Sequence, residues 1–428
     1  MTDRGRNGAR KPIPRSNPSG GKKTLPLDKN VKKPPKKHAK KDTQLVTAGR
    51  SPEDHSGIVN PPVYYASTVL FPTVAKLRES IRKPFEGVYY GRIGTPASFA
   101  FEQAITELEG GHRAISVSSG LAAITTTLLA TLKAGDHLLM VDTVYNPTRK
   151  FCDVLIQLGV EVTYYDPLIG AGIAALIKPN TKVIYLESPG SLTFEIQDVP
   201  AITAVARKHG ILTVIDNTWA TPLYFHPFKH GVDIVLHAAT KYIAGHSDAM
   251  LGVIVTGSEK IFHAVKTMAV ALGNSAGADE IFLGLRGLRT LSVRLARHQE
   301  TGVMLATWLK RRDEVARVIH PALPSDPNHA LWTRDFTGAN GLFAMILKPA
   351  PDAAVVAMLD GMKFFGMGFS WGGFESLILP VEPWISRTAT KWTEKGPYIR
   401  LHAGLEDPDD LIADLEAGFE RLKSAARA

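Results

Sequence analysis

One cysteine, Cys152, occurs in 428 residues, which excludes an internal disulfide framework and any thiolate cluster for zinc or an iron–sulfur centre. Such a chain fits a reducing compartment, and the cytoplasm is the expected location. No apolar run reaches 18 residues, so no membrane-spanning helix is expected. The opening residues lack the apolar core of a signal peptide and the amphipathic face of a transit peptide. None of the histidines, His55, His112 and His246 among them, is read as part of a metal site. Aromatic residues are missing from residues 1–42, which hold seven apolar residues and six prolines beside 14 Lys and Arg and three Asp. That composition cannot bury enough surface to offset the entropy of ordering, so it reads as a disordered basic tail of charge +11. The remaining residues carry 36 basic and 38 acidic groups, a net −2, so the overall charge of +9 belongs to the tail. Charge alone would let the tail bind nucleic acid or an acidic partner, but no folded nucleic-acid motif accompanies it. A solvated tail is the simpler reading.

With 44% hydrophobic and 21% charged residues, the chain can fill a large core. From residue 43 short apolar runs alternate with helical periods, the pattern of an α/β fold. Leu138–Val141, Val183–Leu186, Leu212–Ile215 and Ile234–Leu236 are nearly continuously apolar, as strands of a covered parallel sheet are. Pro200–Gly210 reads as a crossover helix closed by glycine. After about residue 290 the texture becomes α+β, with a long helix near Ser292–Arg312 and strands near Gly341–Leu347 and Tyr398–His402. A final helix is expected to start at Pro408 with Asp407 as its cap. The expected organisation is a tail (1–42), an N-terminal extension (43–90), a large domain (91–290) and a C-terminal α+β domain (291–428).

Ligands of open α/β sheets bind beyond the carboxyl ends of the strands. Asp216 directly follows Leu212–Ile215, and Lys241 follows Ile234–Leu236 after a short turn. Ser118-Ser119-Gly120-Leu121 leads into the helical run Ala122–Leu132, an anion site made of free backbone N–H groups. Taken singly, Asp216 reads as a helix cap and Lys241 as a surface charge. Together with the glycine turn they meet the needs of pyridoxal 5′-phosphate: an amine for the aldehyde, an acid for the pyridine nitrogen and a helix N-terminus for the phosphate.

The run Ala239-Thr240-Lys241-Tyr242-Ile243-Ala244-Gly245-His246-Ser247-Asp248 resembles the lysine signature of the Cys/Met-metabolism family of pyridoxal-phosphate enzymes. Asp216-Asn217-Thr218-Trp219-Ala220-Thr221-Pro222 and Tyr90-Gly91-Arg92 extend the likeness over roughly residues 43–425. The resemblance implies the aspartate aminotransferase type I fold, with Lys241 as the Schiff-base lysine and Asp216 facing the pyridine nitrogen. It makes Tyr145 the tyrosine that stacks on the ring and assists proton transfer. It assigns Gly120, Leu121 and Thr240 to the phosphate. Tyr90 and Arg92 would reach the phosphate of a neighbouring subunit, which implies a homodimer or homotetramer, with the N-terminal extension contributing to the partner.

Arg400, within Tyr398–His402, matches the arginine that holds the substrate α-carboxylate, a fork lysine would not reproduce. Ser370-Trp371-Gly372-Gly373-Phe374-Glu375-Ser376 resembles the loop of the bacterial cystathionine β-lyase branch, placing Ser370 and Trp371 at the substrate. Lys150 stands where the family pattern has an acidic group for the distal ammonium. The implied reaction is β-elimination at the C–S bond of cystathionine and related cysteine S-conjugates, serving methionine biosynthesis. Its alternatives are γ-elimination or γ-replacement by the same site, or a binding role through the tail.

Overall fold

The computed structural model describes residues 39–383 and 386–427, so the expectation for residues 1–38 lies outside them. The first helix is Lys41–Thr47, and Lys41 Nζ donates to the carbonyls of Pro222 (3.2 Å) and Leu223 (2.6 Å). The last two residues of the expected tail are therefore helical: composition counts charge but not the carbonyls that can receive it.

Seven strands form the first sheet: β1 (Arg113–Val117), β2 (His137–Val141), β3 (Glu161–Tyr165), β4 (Thr181–Glu187), β5 (Leu212–Asp216), β6 (Ile234–His237) and β7 (Gly252–Thr256). Their order is β1-β7-β6-β5-β4-β2-β3. The five strands from β6 to β3 pair in parallel, whereas β7 is antiparallel to both β6 and β1. Two antiparallel reversals turn β1 back into the direction of β6. The carboxyl ends of β1, β4, β5 and β6 therefore share one edge, and the loops that leave them build the site. All residues of β2 and β7 are buried, as strands covered on both faces must be.

The second sheet has order β10-β11-β9-β8, from β8 (Val315–Ile319), β9 (Leu342–Leu347), β10 (Leu377–Pro380) and β11 (Tyr398–His402), all antiparallel. The helix Leu291–Leu309 joins the two cores: Leu291 and Leu295 pack in the first, Leu305 and Leu309 in the second beside Phe343, Met358 and Phe419. The last helix starts at Pro408, and Asp407 Oδ1 accepts from the Asp409 N–H at 2.9 Å, the cap its sequence indicates.

Candidate active site

Asp216 is the last residue of β5, in register with Glu187 of β4 and Leu236 of β6. The turn that follows is fixed from below. Asn217 Nδ2 donates to Glu109 Oε1 (3.1 Å) and to the Phe225 carbonyl (3.2 Å), while Glu109 Oε2 lies 3.2 Å from His237 Nε2. All three side chains are buried, so the network cannot rearrange without stranding a polar group. The Thr218 N–H donates to Asp216 Oδ1 (2.9 Å), and the Thr218 hydroxyl accepts from the Ala238 N–H (2.8 Å), which ties the Asp216 turn to the one carrying Lys241.

The Lys241 turn is held by backbone bonds and by Arg294, whose buried guanidinium donates to the carbonyls of Tyr242 and Gly287, both at 2.8 Å. Gly245 has φ +74°, and a Cβ there would stand 1.9 Å from Arg294 Nη1, so glycine is required. His246 Nδ1 lies 2.7 Å from the Ala244 carbonyl, a bond within this turn.

Gly120 opens the helix Gly120–Thr131, whose cap Ser119 accepts from the Ala122 N–H at 3.1 Å. A Cβ on Gly120 would lie 2.5 Å from Ala238 Cβ, so the helix N-terminus comes close enough to the Lys241 turn only because residue 120 has no side chain. Leu121 follows it and is 38% exposed at the same helix start. The Thr240 hydroxyl donates to the Leu251 carbonyl (3.2 Å) and accepts from the Leu251 N–H (2.8 Å). Its single proton is thus committed, and an anion would have to win it from that carbonyl.

Tyr145, Asp216, Lys241 and Arg400 act on one another electrically. Burial, then the charge of Arg400, lowers the Lys241 amine to about 8, with Asp216 opposing. Burial raises the Asp216 carboxyl, against hydrogen bonds from Thr218 and the charges of His237 and Lys241. Burial, followed by Glu187 and Asp216, raises the Tyr145 hydroxyl, and Arg400 opposes them. Lys241 Nζ donates to Ser370 Oγ at 2.6 Å and lies 5.5 Å from the centre of the Trp371 ring. Arg400 Nη2 donates to the Ser370 carbonyl at 2.9 Å. Six of the predicted residues thus meet around one amine, with Gly120 at the rim. Tyr90 and Arg92 do not join them: they line a separate cavity of about 410 Å³ with Tyr64, Ser67 and Lys266, and Arg92 Nη1 donates to the Val270 carbonyl at 2.6 Å.

Sequence reasoning passed over Glu187, whose carboxylate accepts from the Tyr145 N–H at 2.8 Å and which burial and the adjacent Asp216 hold well above the usual range. Its signal was available, since Glu187 ends an apolar strand as Asp216 does. Glu109, His237 and Arg294 had no local signal, because the bonds that tie them to the site reach partners more than 50 residues away.

The profile of the Cys/Met metabolism PLP-dependent enzyme family matches residues 42–420. The chain belongs to this family. It is 44% identical over 391 residues to the cystathionine β-lyase MetC of Escherichia coli (strain K12), covering 90% of this chain and 99% of that one. It is 43% identical over 396 residues to the L-alanine/L-glutamate racemase of Wolbachia pipientis wMel, covering 90% and 98%. Among solved structures, the cystathionine γ-synthase of Xanthomonas oryzae pv. oryzae superposes with a TM-score of 0.82 at 31% identity, over 91% of this chain and 100% of that one. The two-sheet architecture is the type I fold of pyridoxal-phosphate enzymes.

The residues present fit the family's cofactor. A buried carboxylate with a raised affinity for a proton suits a pyridinium partner, and an amine near pKa 8 suits an aldehyde. A helix start that only glycine lets approach suits a phosphate. Among the described residues no group of acids, cysteines and histidines could hold a metal ion.

Proposed function

We propose that the chain is a cystathionine β-lyase that binds pyridoxal 5′-phosphate and cleaves L-cystathionine to homocysteine, pyruvate and ammonia, in methionine biosynthesis. The observation that carries the reading is the contact of Lys241 with the Ser370–Trp371 loop, which puts an indole and a hydroxyl beside the only amine of the cluster. Lys241 would hold the aldehyde carbon of the cofactor, Asp216 the pyridine nitrogen, and Gly120, Leu121 and Thr240 the phosphate, with Tyr145 as the stacking partner of its ring. The cofactor supplies, when bound, a sink for the electron pair left at the substrate α-carbon.

The protein's own groups do the rest. Arg400 takes the α-carboxylate with its guanidinium fork and orients the α-carbon. Once the substrate has displaced it, the Lys241 amine removes the α-proton, and an amine near pKa 8 is free to act as a base close to neutral pH. The C–S bond breaks at the β-carbon, and the sulfur leaves as a thiolate that takes a proton, for which the Tyr145 hydroxyl and the Lys241 ammonium are both in place. Water then releases pyruvate and ammonia. Ser370 receives the Lys241 amine whenever that amine is released from the cofactor, and Trp371 walls the side on which the leaving group departs.

The active unit is a homodimer or homotetramer. Tyr90 and Arg92, away from their own chain's Lys241, serve the phosphate of the neighbour. The exposed side chains of Ile58, Tyr65, Leu70, Val74 and Ile81 supply the apolar surface such a contact buries. One buried cysteine, with no helix among the described residues long and apolar enough to cross a membrane, favours the cytoplasm.

Incubating the purified protein with L-cystathionine and identifying the products tests the reaction. Pyruvate with homocysteine is the expected pair. Release of 2-oxobutyrate with cysteine would mean γ-elimination. D-alanine formed from L-alanine without thiol release would make the chain a racemase.

A further inference from the structure

We infer that His402 is a positioning residue that sets the site's preference for a long thioether substrate by fixing the loop Ser370–Glu375 against Lys241. The inference deepens the lyase reading and rests on it. His402 lies on β11 two residues after Arg400, so both side chains leave the same face of the second sheet. It is completely buried.

Its two ring nitrogens do different work. The Gly372 N–H donates to Nε2 at 3.0 Å, and Nδ1 lies 3.1 Å from the Glu375 carbonyl oxygen. An amide N–H can only donate and a carbonyl can only accept, so the ring carries its proton on Nδ1 and is neutral. Burial and the neighbouring His298 hold it well below the usual histidine range, in agreement with that tautomer. His298, 5.2 Å away between ring centres, is itself held by the Ala403 carbonyl at 2.8 Å, and Tyr242 packs on both rings.

The loop thus anchored touches the backbone of the reactive lysine. Gly372 has φ +83°, and a Cβ there would stand 2.9 Å from Tyr242 N and 3.0 Å from Lys241 C. Trp371 packs 5.5 Å from the Tyr242 ring. Residues 400 and 402 grip the loop at two places, Arg400 at Ser370 and His402 at Gly372 and Glu375. The grips differ in one respect. Arg400 must turn its guanidinium to a substrate carboxylate, which competes with its bond to Ser370, whereas His402 meets no substrate. With substrate bound, His402 still holds Gly372, the residue next to Trp371, while Ser247 Oγ on the Glu375 carboxylate (2.6 Å) and the Leu405 N–H on the Phe374 carbonyl (2.8 Å) hold the far end of the loop.

Two variants test this. His402→Phe keeps a ring of similar size and loses both hydrogen bonds, and His402→Gln keeps an acceptor near the place of Nε2. In His402→Phe, amide hydrogen exchange in the peptide containing Gly372 should accelerate about tenfold in the apoprotein and the loaded enzyme alike, the scale expected when a buried N–H loses its acceptor. The kcat/KM for cystathionine should fall about tenfold, mostly through KM, while deuterium exchange at the α-carbon of L-alanine, which needs only the lysine, the arginine and the ring, stays within about threefold. His402→Gln should recover most of both losses. The inference is overturned if His402→Phe leaves the cystathionine reaction and the Gly372 exchange unchanged. It is equally overturned if both reactions fall together, or if Gln does no better than Phe. A wild-type protein that releases no thiol from cystathionine would sink the lyase reading alone. The Gly372 exchange, with the ratio of thioether to alanine turnover replaced by binding of cystathionine against alanine, would then still decide the role of His402.

Discussion

An ordinary lysine amine is almost wholly protonated at neutral pH, and Lys241 escapes that state because burial and Arg400 both penalise its charge. Its folded value of about 8 lies below the 10.5 of an ordinary lysine, so the neutral and reactive fraction grows as pH rises through 8. Acylation of Lys241 in the apoprotein should therefore show a midpoint near pH 8, read by competitive labelling and peptide mapping. A midpoint near 10.5 would mean that the amine is hydrated and that Arg400 does not act on it. At this scale the sequence was most legible where a polar residue directly follows an apolar run, as Asp216 does. Arg294, 53 residues beyond Lys241, gave no such sign, because a guanidinium that caps the carbonyls of Tyr242 and Gly287 is recognised only once the chain has folded.

Among the loops, the segment after β10 depends on one carboxylate. Asp142, fully buried at the end of β2, accepts from the N–H groups of Thr388 (2.9 Å), Ala389 (3.0 Å) and Thr390 (3.0 Å) and from Arg149 Nη2 (2.6 Å). Burial alone would raise its pKa, but the bonds from Thr388, Arg149 and Thr390 outweigh it and hold the carboxyl below the usual range. A folded value below the unfolded one stabilises above the ordinary carboxylate range, and the stabilisation is lost as pH falls through the folded value. Amide hydrogen exchange within residues 386–390, corrected for its intrinsic pH dependence, should consequently speed up as pH is lowered past that range. Asp142→Ala should cost about 3–5 kcal/mol, since it strands Arg149 and three N–H groups, and should lower the thermal midpoint of the apoprotein and expose the same segment at neutral pH. An unchanged midpoint with the segment still protected from exchange would show that the clamp contributes nothing.

Elements were legible in proportion to their burial. The apolar runs of β2, β4, β5, β6, β9 and β11 are readable within two residues because both faces are covered. By contrast β8 carries the exposed Ala316 and Arg317, and β10 has four residues ending in proline, so neither has enough periodicity to separate it from a loop. Strand β7 is fully buried, yet its antiparallel direction comes from β1 and β6 on either side rather than from its own residues.

For the whole molecule, one site is proposed to draw groups from two chains, Lys241 from one and Tyr90 with Arg92 from its neighbour. Lys241→Ala and Arg92→Ala proteins, each inactive alone, should regain about a quarter of native activity when subunits are exchanged, because half of the dimers are mixed and each of those has one intact site. If Arg92 serves its own chain, mixing restores nothing. The account as a whole stands on Lys241 as the amine that binds the cofactor, with Asp216 across the ring. Its most direct test is borohydride reduction of the full-length protein loaded with pyridoxal 5′-phosphate, followed by peptide mapping. A phosphopyridoxyl group on Lys241, absent from Lys241→Ala, is the predicted result; a protein left unmodified, or labelled at another lysine, would contradict it.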